Sequence, residues 1–223
     1  MKFATIIFIM ICSISFGQSI EFSFGGNYNM FYDLRNFKKD YGNFSSSYSP
    51  KLGYSFFLGV NDLKVDSLKR ARIVLFVNKY KGSVKISDGG LGFGYEIDVD
   101  VSKTNIGLGL YPLNFYLDQD IQLSLGREFS YLLEEKIIGK KSKWNMTNAQ
   151  TSQEIGNGTN EKSYKSNFGL SGSINYRLKL LNKWYLSPEY KYYLGLTKEF
   201  INIDGRTKSM RHLLMIRLIK SLE

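Results

Sequence analysis

Residues 19–35 read Ser19-Ile20-Glu21-Phe22-Ser23-Phe24-Gly25-Gly26-Asn27-Tyr28-Asn29-Met30-Phe31-Tyr32-Asp33-Leu34-Arg35. Even positions hold Ile, Phe, Phe, Gly, Tyr, Met, Tyr and Leu; odd positions hold polar groups apart from Gly25 and Phe31. A period of two sends successive side chains to opposite sides of an extended chain, so this stretch is one strand with an apolar face and a polar face.

The same period recurs outward from this stretch. Residues 51–61 carry Leu52, Tyr54, Phe56, Leu58 and Val60 on one face, and residues 167–180, 184–197 and 209–222 repeat the pattern. With residues 181–183 as a three-residue hairpin turn, Leu178 faces Leu186, Ile174 faces Tyr190, and Gly172 faces Tyr192, whose ring would cover the glycine. Residues 70–101 fit three short strands or one long hairpin turning at Asp88-Gly89-Gly90. The polar stretch 134–165 is too long for the short-turn side of a barrel, and only the hairpin moves it to the other side. The middle strands are therefore expected at 70–87, at 94–115 with a phase slip near Ser102-Lys103, and at 120–133.

Eight strands result. One side has long connections (36–50, the Asp88 turn, 134–165, 198–208) and the other short ones (62–69, 116–120, 181–183). Even strand number, long strands and this asymmetry describe an all-β fold, an eight-stranded antiparallel up-and-down transmembrane β-barrel. No stretch after residue 17 has about 18 consecutive apolar residues, so a membrane-crossing helix is not expected there.

The first residues fit export. Lys2 precedes an apolar run over residues 3–14, then Ser15 and Gly17 supply small residues before a cut, which makes residues 1–17 a signal peptide and 18–223 the barrel domain. The single cysteine, Cys12, falls within the signal, which leaves no thiol for disulfide or thiolate chemistry in the mature chain. Lysine and arginine total 30 against 20 acids, a formal net charge of +10. For an exported chain this balance points to envelope phosphates, with outer-membrane lipid and lipopolysaccharide as partners beside envelope proteins, rather than nucleic acid.

The chain resembles the small outer-membrane β-barrel family, PorT-like and OmpX-like. The resemblance rests on the Gln18 start, the strand from Thr104-Asn105-Ile106-Gly107-Leu108 to Pro112, the strand from Leu123-Ser124-Leu125-Gly126 to Tyr131-Leu132-Leu133, and the closing strand from Met210 to Leu218. It departs from the family in ending Leu222-Glu223 instead of on an aromatic residue. The resemblance implies the fold and an outer-membrane location, and suggests an accessory part in secretion or assembly as one alternative. The leading expectation is a non-enzymatic barrel that presents its extracellular loops to the envelope, a ligand or a partner, with a membrane-embedded lipid hydrolase as a further alternative; no cofactor or metal is expected.

Candidate site residues follow from chemistry. Lys38, Lys39, Lys140, Lys141, Lys143, Arg206 and Lys208 fall in the long connections, where cations make charge-assisted bonds to lipopolysaccharide phosphates; the alternative is an ordinary charged surface. Glu96, Asp98 and Asp100 share one face of a strand and fit either a cation or a solvated ridge. His212, the single histidine, is expected to face lipid, and Ser209 three residues away falls on the opposite face, which disfavours a hydrolase. Glu21, Arg177, Lys179, Glu189, Lys191, Arg211 and Arg217 are expected inside, pairing and plugging the lumen. Arg127 conflicts with this scheme: either a bulge at Gly126 turns it inward or the register differs there.

Overall fold

The computed structural model describes residues 19–33, 45–64, 70–90, 93–145, 150–156, 162–201, 203 and 206–222. The expected signal with Cys12, and Lys38 and Lys39, lie outside the described residues. The strands are β1 (Ser19–Tyr32), β2 (Ser45–Lys64), β3 (Arg70–Gly90), β4 (Phe93–Tyr116), β5 (Ile121–Trp144), β6 (Gln150–Ile155), β7 (Ser166–Tyr176), β8 (Leu178–Lys179), β9 (Trp184–Gly195) and β10 (Lys208–Ser221). Every pairing is antiparallel, in the order β10-β1-β2-β3-β4-β5-β7-β9. The pairing of β10 with both β9 and β1 closes the ring. β8 continues β7 past Arg177, and β6 lies off the ring beside β5, so eight staves form the barrel.

The hairpin between the last staves follows the side-chain pattern: Leu178 pairs with Leu186, Ile174 with Tyr190 and Gly172 with Tyr192. Lys183 takes a left-handed φ of 69° and Trp184 N–H donates to the Leu181 carbonyl at 2.7 Å. The atom closest to where a Cβ on Gly172 would stand is Leu125 Cδ2 at 3.0 Å, with no Tyr192 atom within 4 Å, so leucine rather than Tyr192 covers the glycine.

Two expectations about length are corrected. The stretch expected as an outside loop from 134 is strand to Trp144, and β6 returns along it from Trp144↔Gln150 to Gly139↔Ile155. Likewise β2 starts at Ser45, inside the expected loop 36–50, and β3 pairs with β4 up to Gly90↔Phe93. The upper ends of β2 to β5 with β6 thus form a five-stranded sheet rising above one side of the ring. Its residues read as loop because its exterior is polar.

Polarity reverses along these continuous strands. In the ring, Phe24, Phe56, Leu125 and Ile174 are exposed on the outer wall, whereas Glu21, Ser55, Ser124 and Glu189 are buried inside. Higher up, Ile97, Val99, Val101, Val84, Ile86, Ile137 and Ile155 are buried on the inner face, in one cluster with Phe31, Phe200 and Ile203. Asp98, Asp100 and Lys85 are exposed outside. Phe31, the apolar exception on the polar face of β1, stands where the interior changes from polar to apolar. An apolar outer wall over a polar interior suits hydrocarbon; the reverse suits water.

Register shifts mark the boundaries. No slip occurs at Ser102-Lys103, because β4 keeps its inner phase from Ile97 to Tyr111. At that height the irregularity is on β5, where Leu133 is skipped between Thr104↔Glu134 and Asn105↔Leu132. The slip in β4 is at Tyr111-Pro112, opposite Gly126. A bulge tolerates Pro112 because the missing N–H interrupts no regular ladder bond.

This arrangement makes a labelling prediction. Single cysteines replacing Leu170 or Ile174 react poorly with a water-soluble maleimide in lipid vesicles and are quenched by lipid-borne probes, while cysteines replacing Asp98 or Lys140 react readily with the maleimide. Free aqueous reaction at 170 and 174 is incompatible with a lipid-facing wall.

Candidate functional site

The inward alternation of the ring strands stacks charged side chains in the lumen. Arg72 on β3 donates from Nε to Glu21 of β1 at 2.7 Å and from Nη1 to Glu189 of β9 at 2.7 Å. Arg217 on β10 lies 3.3 Å from Glu21 and 3.8 Å from Glu189, and donates to Gln122 at 2.5 Å and Asn175 at 3.2 Å. Two guanidinium groups therefore alternate with two carboxylates across the barrel. All four side chains have 0% exposure.

One level higher, Lys191 pairs with Glu128, which also accepts from Tyr111 Oη at 2.6 Å. The Lys191 ammonium stands 3.9 Å from the Phe57 ring centre. Arg211 stacks above it on Tyr193 at 3.9 Å and Tyr80 at 5.0 Å. Near the top, Lys103 meets Glu199 at 2.5 Å beneath the Phe200 ring. At the short-turn end, Asp62 takes Arg177 at 3.0 Å and Tyr116 at 2.9 Å.

Groups with essentially no surface reachable by water leave no aqueous path at these levels, so side chains fill the lumen, as eight staves dictate. Burying ions is costly unless each is paired and hydrogen-bonded. Here Arg72, Arg217, Lys191 and Lys103 meet carboxylates, whereas Arg211 rests on the Tyr80 and Tyr193 rings and its Nε and Nη1 have no hydrogen-bond partner among the described residues.

Of the inward residues expected from sequence, Glu21, Arg177, Glu189, Lys191, Arg211 and Arg217 join this stack. Lys179 does not; it is exposed on β8. Arg72, Lys103, Glu128 and Glu199 were missed. On β3 both alternating sets are largely apolar, so parity does not mark Arg72 as inward. Glu199 follows β9, and no strand pattern reaches it.

Arg127 remains outward and exposed on the wall, paired in register with Leu110 and Leu170. Neither expected alternative holds: Gly126 makes no inward turn, because the bulge belongs to the opposite strand, and the outward phase that strand alternation gives Arg127 is kept. A Cβ on Gly126 would strike the Leu110 carbonyl oxygen and the backbone of Tyr111. Such a cation costs roughly 2–4 kcal/mol at a bilayer midplane and about 0–1 kcal/mol near an interface.

The basic candidates do not form one cluster. Lys140 points outward on β5, directly between Asp98 of β4 and Glu154 of β6. Lys141 and Lys143 fall on the opposite face of that strand. Arg206 is exposed in the turn before β10, and Lys208 opens β10 opposite Tyr32.

The acidic ridge is also crossed by lysines: Lys85 contacts Glu96 at 2.7 Å and Asp98 at 4.0 Å, and Lys51 contacts Asp100 at 2.7 Å. Hydrogen bonds from Lys51 and Ser83 hold the Asp100 carboxyl below its ordinary pKa. Signs alternate from strand to strand, a cross-strand ladder that stabilises the external sheet rather than a concentrated cation site.

His212 lies on the outer wall, with Nδ1 2.7 Å from Tyr190 Oη and its ring 5.1 Å from that of Tyr192. Ser209 is buried on the inner face. Among the described residues no serine is hydrogen-bonded to His212.

No protein-family model matches the chain, and no curated protein matches it. Among solved structures, Neisserial surface protein A is 10% identical, with 91% of this chain and 97% of that one covered and a TM-score of 0.42. The attachment invasion locus protein Ail of Yersinia pestis is 9% identical over 91% and 99%, with a TM-score of 0.37. The outer membrane protein OprG of Pseudomonas aeruginosa is 9% identical over 92% and 94%, with a TM-score of 0.40. These neighbours are small outer-membrane β-barrel proteins. The architecture given above stands on this chain's own pairing register.

The buried stack predicts a stability effect. Arg72→Met leaves Glu21 and Glu189 to share the single Arg217 guanidinium, an excess of buried negative charge, and lowers unfolding free energy in lipid vesicles by about 3–5 kcal/mol. The double variant Lys103→Met/Glu199→Gln loses less than the sum of its single variants, measured by denaturant titration.

Proposed function

We propose that the protein is a non-enzymatic anchor of the outer membrane that holds a rigid β-sheet outside the cell for contact with envelope or external partners. The observation that carries this reading is the polarity reversal within continuous strands. On β4 the outer face runs from Leu113, Leu110 and Leu108 to Asp100, Asp98 and Glu96, with no hinge between them. A filled lumen argues against conduction as the purpose, and the chain invests strands of 20–24 residues in β2 to β5, where about 9–11 suffice to cross a bilayer.

Short turns on one side and the raised sheet on the other favour an outward-facing sheet. Arg206 and Lys208, at the base of the raised part, fit the level of lipopolysaccharide phosphates. Lys140 and Lys143 stand higher and suit a partner that spans several strands.

Photo-crosslinkers at positions 98 and 140 in intact cells are expected to capture lipopolysaccharide or an envelope protein, and a membrane-impermeant biotin reagent to reach the same positions. If the reagent reaches only broken cells, the orientation is inverted. Overexpression of the wild type and of His212→Ala leaves lipid A acylation unchanged; an acylation change that His212→Ala abolishes would restore the hydrolase.

A further inference from the structure

Among the described residues Arg127 is the outward-facing charged side chain set deepest in the apolar band of the ring; Lys79, in register with Tyr54 and Thr104, stands at its upper edge, and the outward positions next to Arg127 on β4, β5 and β7 are apolar. No ion pair or hydrogen bond within the described chain satisfies it. It lies beside a groove of about 470 Å³ in the lipid-facing wall, shaped by Pro112, Leu113, Leu170, Gly172 and Leu194. The Tyr111-Pro112 bulge and the missing side chain at Gly172, on the outward set of β7, produce the hollow. Arg127 is six residues beyond Ile121, the start of β5. At about 3.4 Å per residue and a tilt of about 40°, it stands roughly 15 Å above the short-turn rim of a band about 25 Å tall. The remaining distance to the upper interface is within reach of an extended arginine and a headgroup that dips toward it.

We propose that this groove seats one anionic lipid from the leaflet on the raised-sheet side, with an acyl chain along Leu113, Leu170 and Leu194 and a phosphate oxygen accepting hydrogen bonds from Arg127. Charge complementarity selects the occupant. Among the described residues the outer wall of the band carries no carboxylate, so a second copy of this chain cannot neutralise Arg127 there. A guanidinium in hydrocarbon gains most from a phosphate, which accepts two parallel N–H bonds. The hollow matches the flexible chain attached to such a headgroup.

The inference rests on the transmembrane reading, and a separate result marks the failure of that reading: the protein would then bind vesicles of neither lipid. The test is native mass spectrometry of the refolded, detergent-solubilised barrel with phosphatidylglycerol or phosphatidylcholine. The wild type is expected to retain phosphatidylglycerol at least about fivefold more than phosphatidylcholine. Arg127→Leu brings the two to equal retention, and Gly172→Phe, which fills the groove and keeps the arginine, also lowers phosphatidylglycerol retention. Each variant is confirmed as folded by its gel shift on heating. Equal retention of both lipids by the wild type, or an unchanged preference in Arg127→Leu, overturns the proposal. So does a co-extracted protein crosslinked at position 127 in place of lipid.

Discussion

Closure of the sheet is the constraint on which everything else hangs. In hydrocarbon an unpaired N–H or C=O has no water to turn to, so a sheet can cross a membrane only when its first and last strands meet. β1 and β10 meet over their whole lengths, from Ser19↔Ser221 to Tyr32↔Lys208. That ladder places Glu21 and Arg217 in the same interior and makes the lumen narrow enough for their side chains to fill it. The charge stack follows from closure: strands that turn apolar residues toward lipid turn polar ones inward, and eight staves leave no room for water to solvate them.

The buried ions in turn couple distant parts of the chain. Glu21, Arg72, Glu189 and Arg217 come from β1, β3, β9 and β10, so their attraction ties the first and third strands to the last hairpin. Such networks tend to add register specificity rather than net stability, because desolvation offsets much of the Coulomb gain. In a barrel, where a one-residue slip would turn every side chain to the wrong medium, register is the property most in need of such control.

Much of this was legible in the sequence, for a definable reason. Where one face meets lipid and the other a polar lumen, alternation is unmistakable, and β1, β7, β9 and β10 were read at nearly their observed extents. The hairpin at residues 181–183 came out pair for pair. The reading failed where the surroundings change. Above the ring the apolar set moves inward and the exterior becomes charged, so residues 134–144 looked like a polar loop. Arg127 defied interpretation because the bulge that shapes its surroundings lies on β4, and a single strand's alternation carries no information about its neighbour. Glu199, beyond the end of β9, is paired through tertiary structure alone.

The polarity reversal also acts as a waterline painted on the molecule. If the barrel sank by one pair of residues along β4, the Asp100–Lys51 pair would approach the hydrocarbon; if it rose by as much, Tyr54 and Leu52 would meet water. Because neighbouring staves carry the same transition at matching heights, the barrel has a draught set by its own side chains, and a thicker or thinner bilayer must deform to meet it.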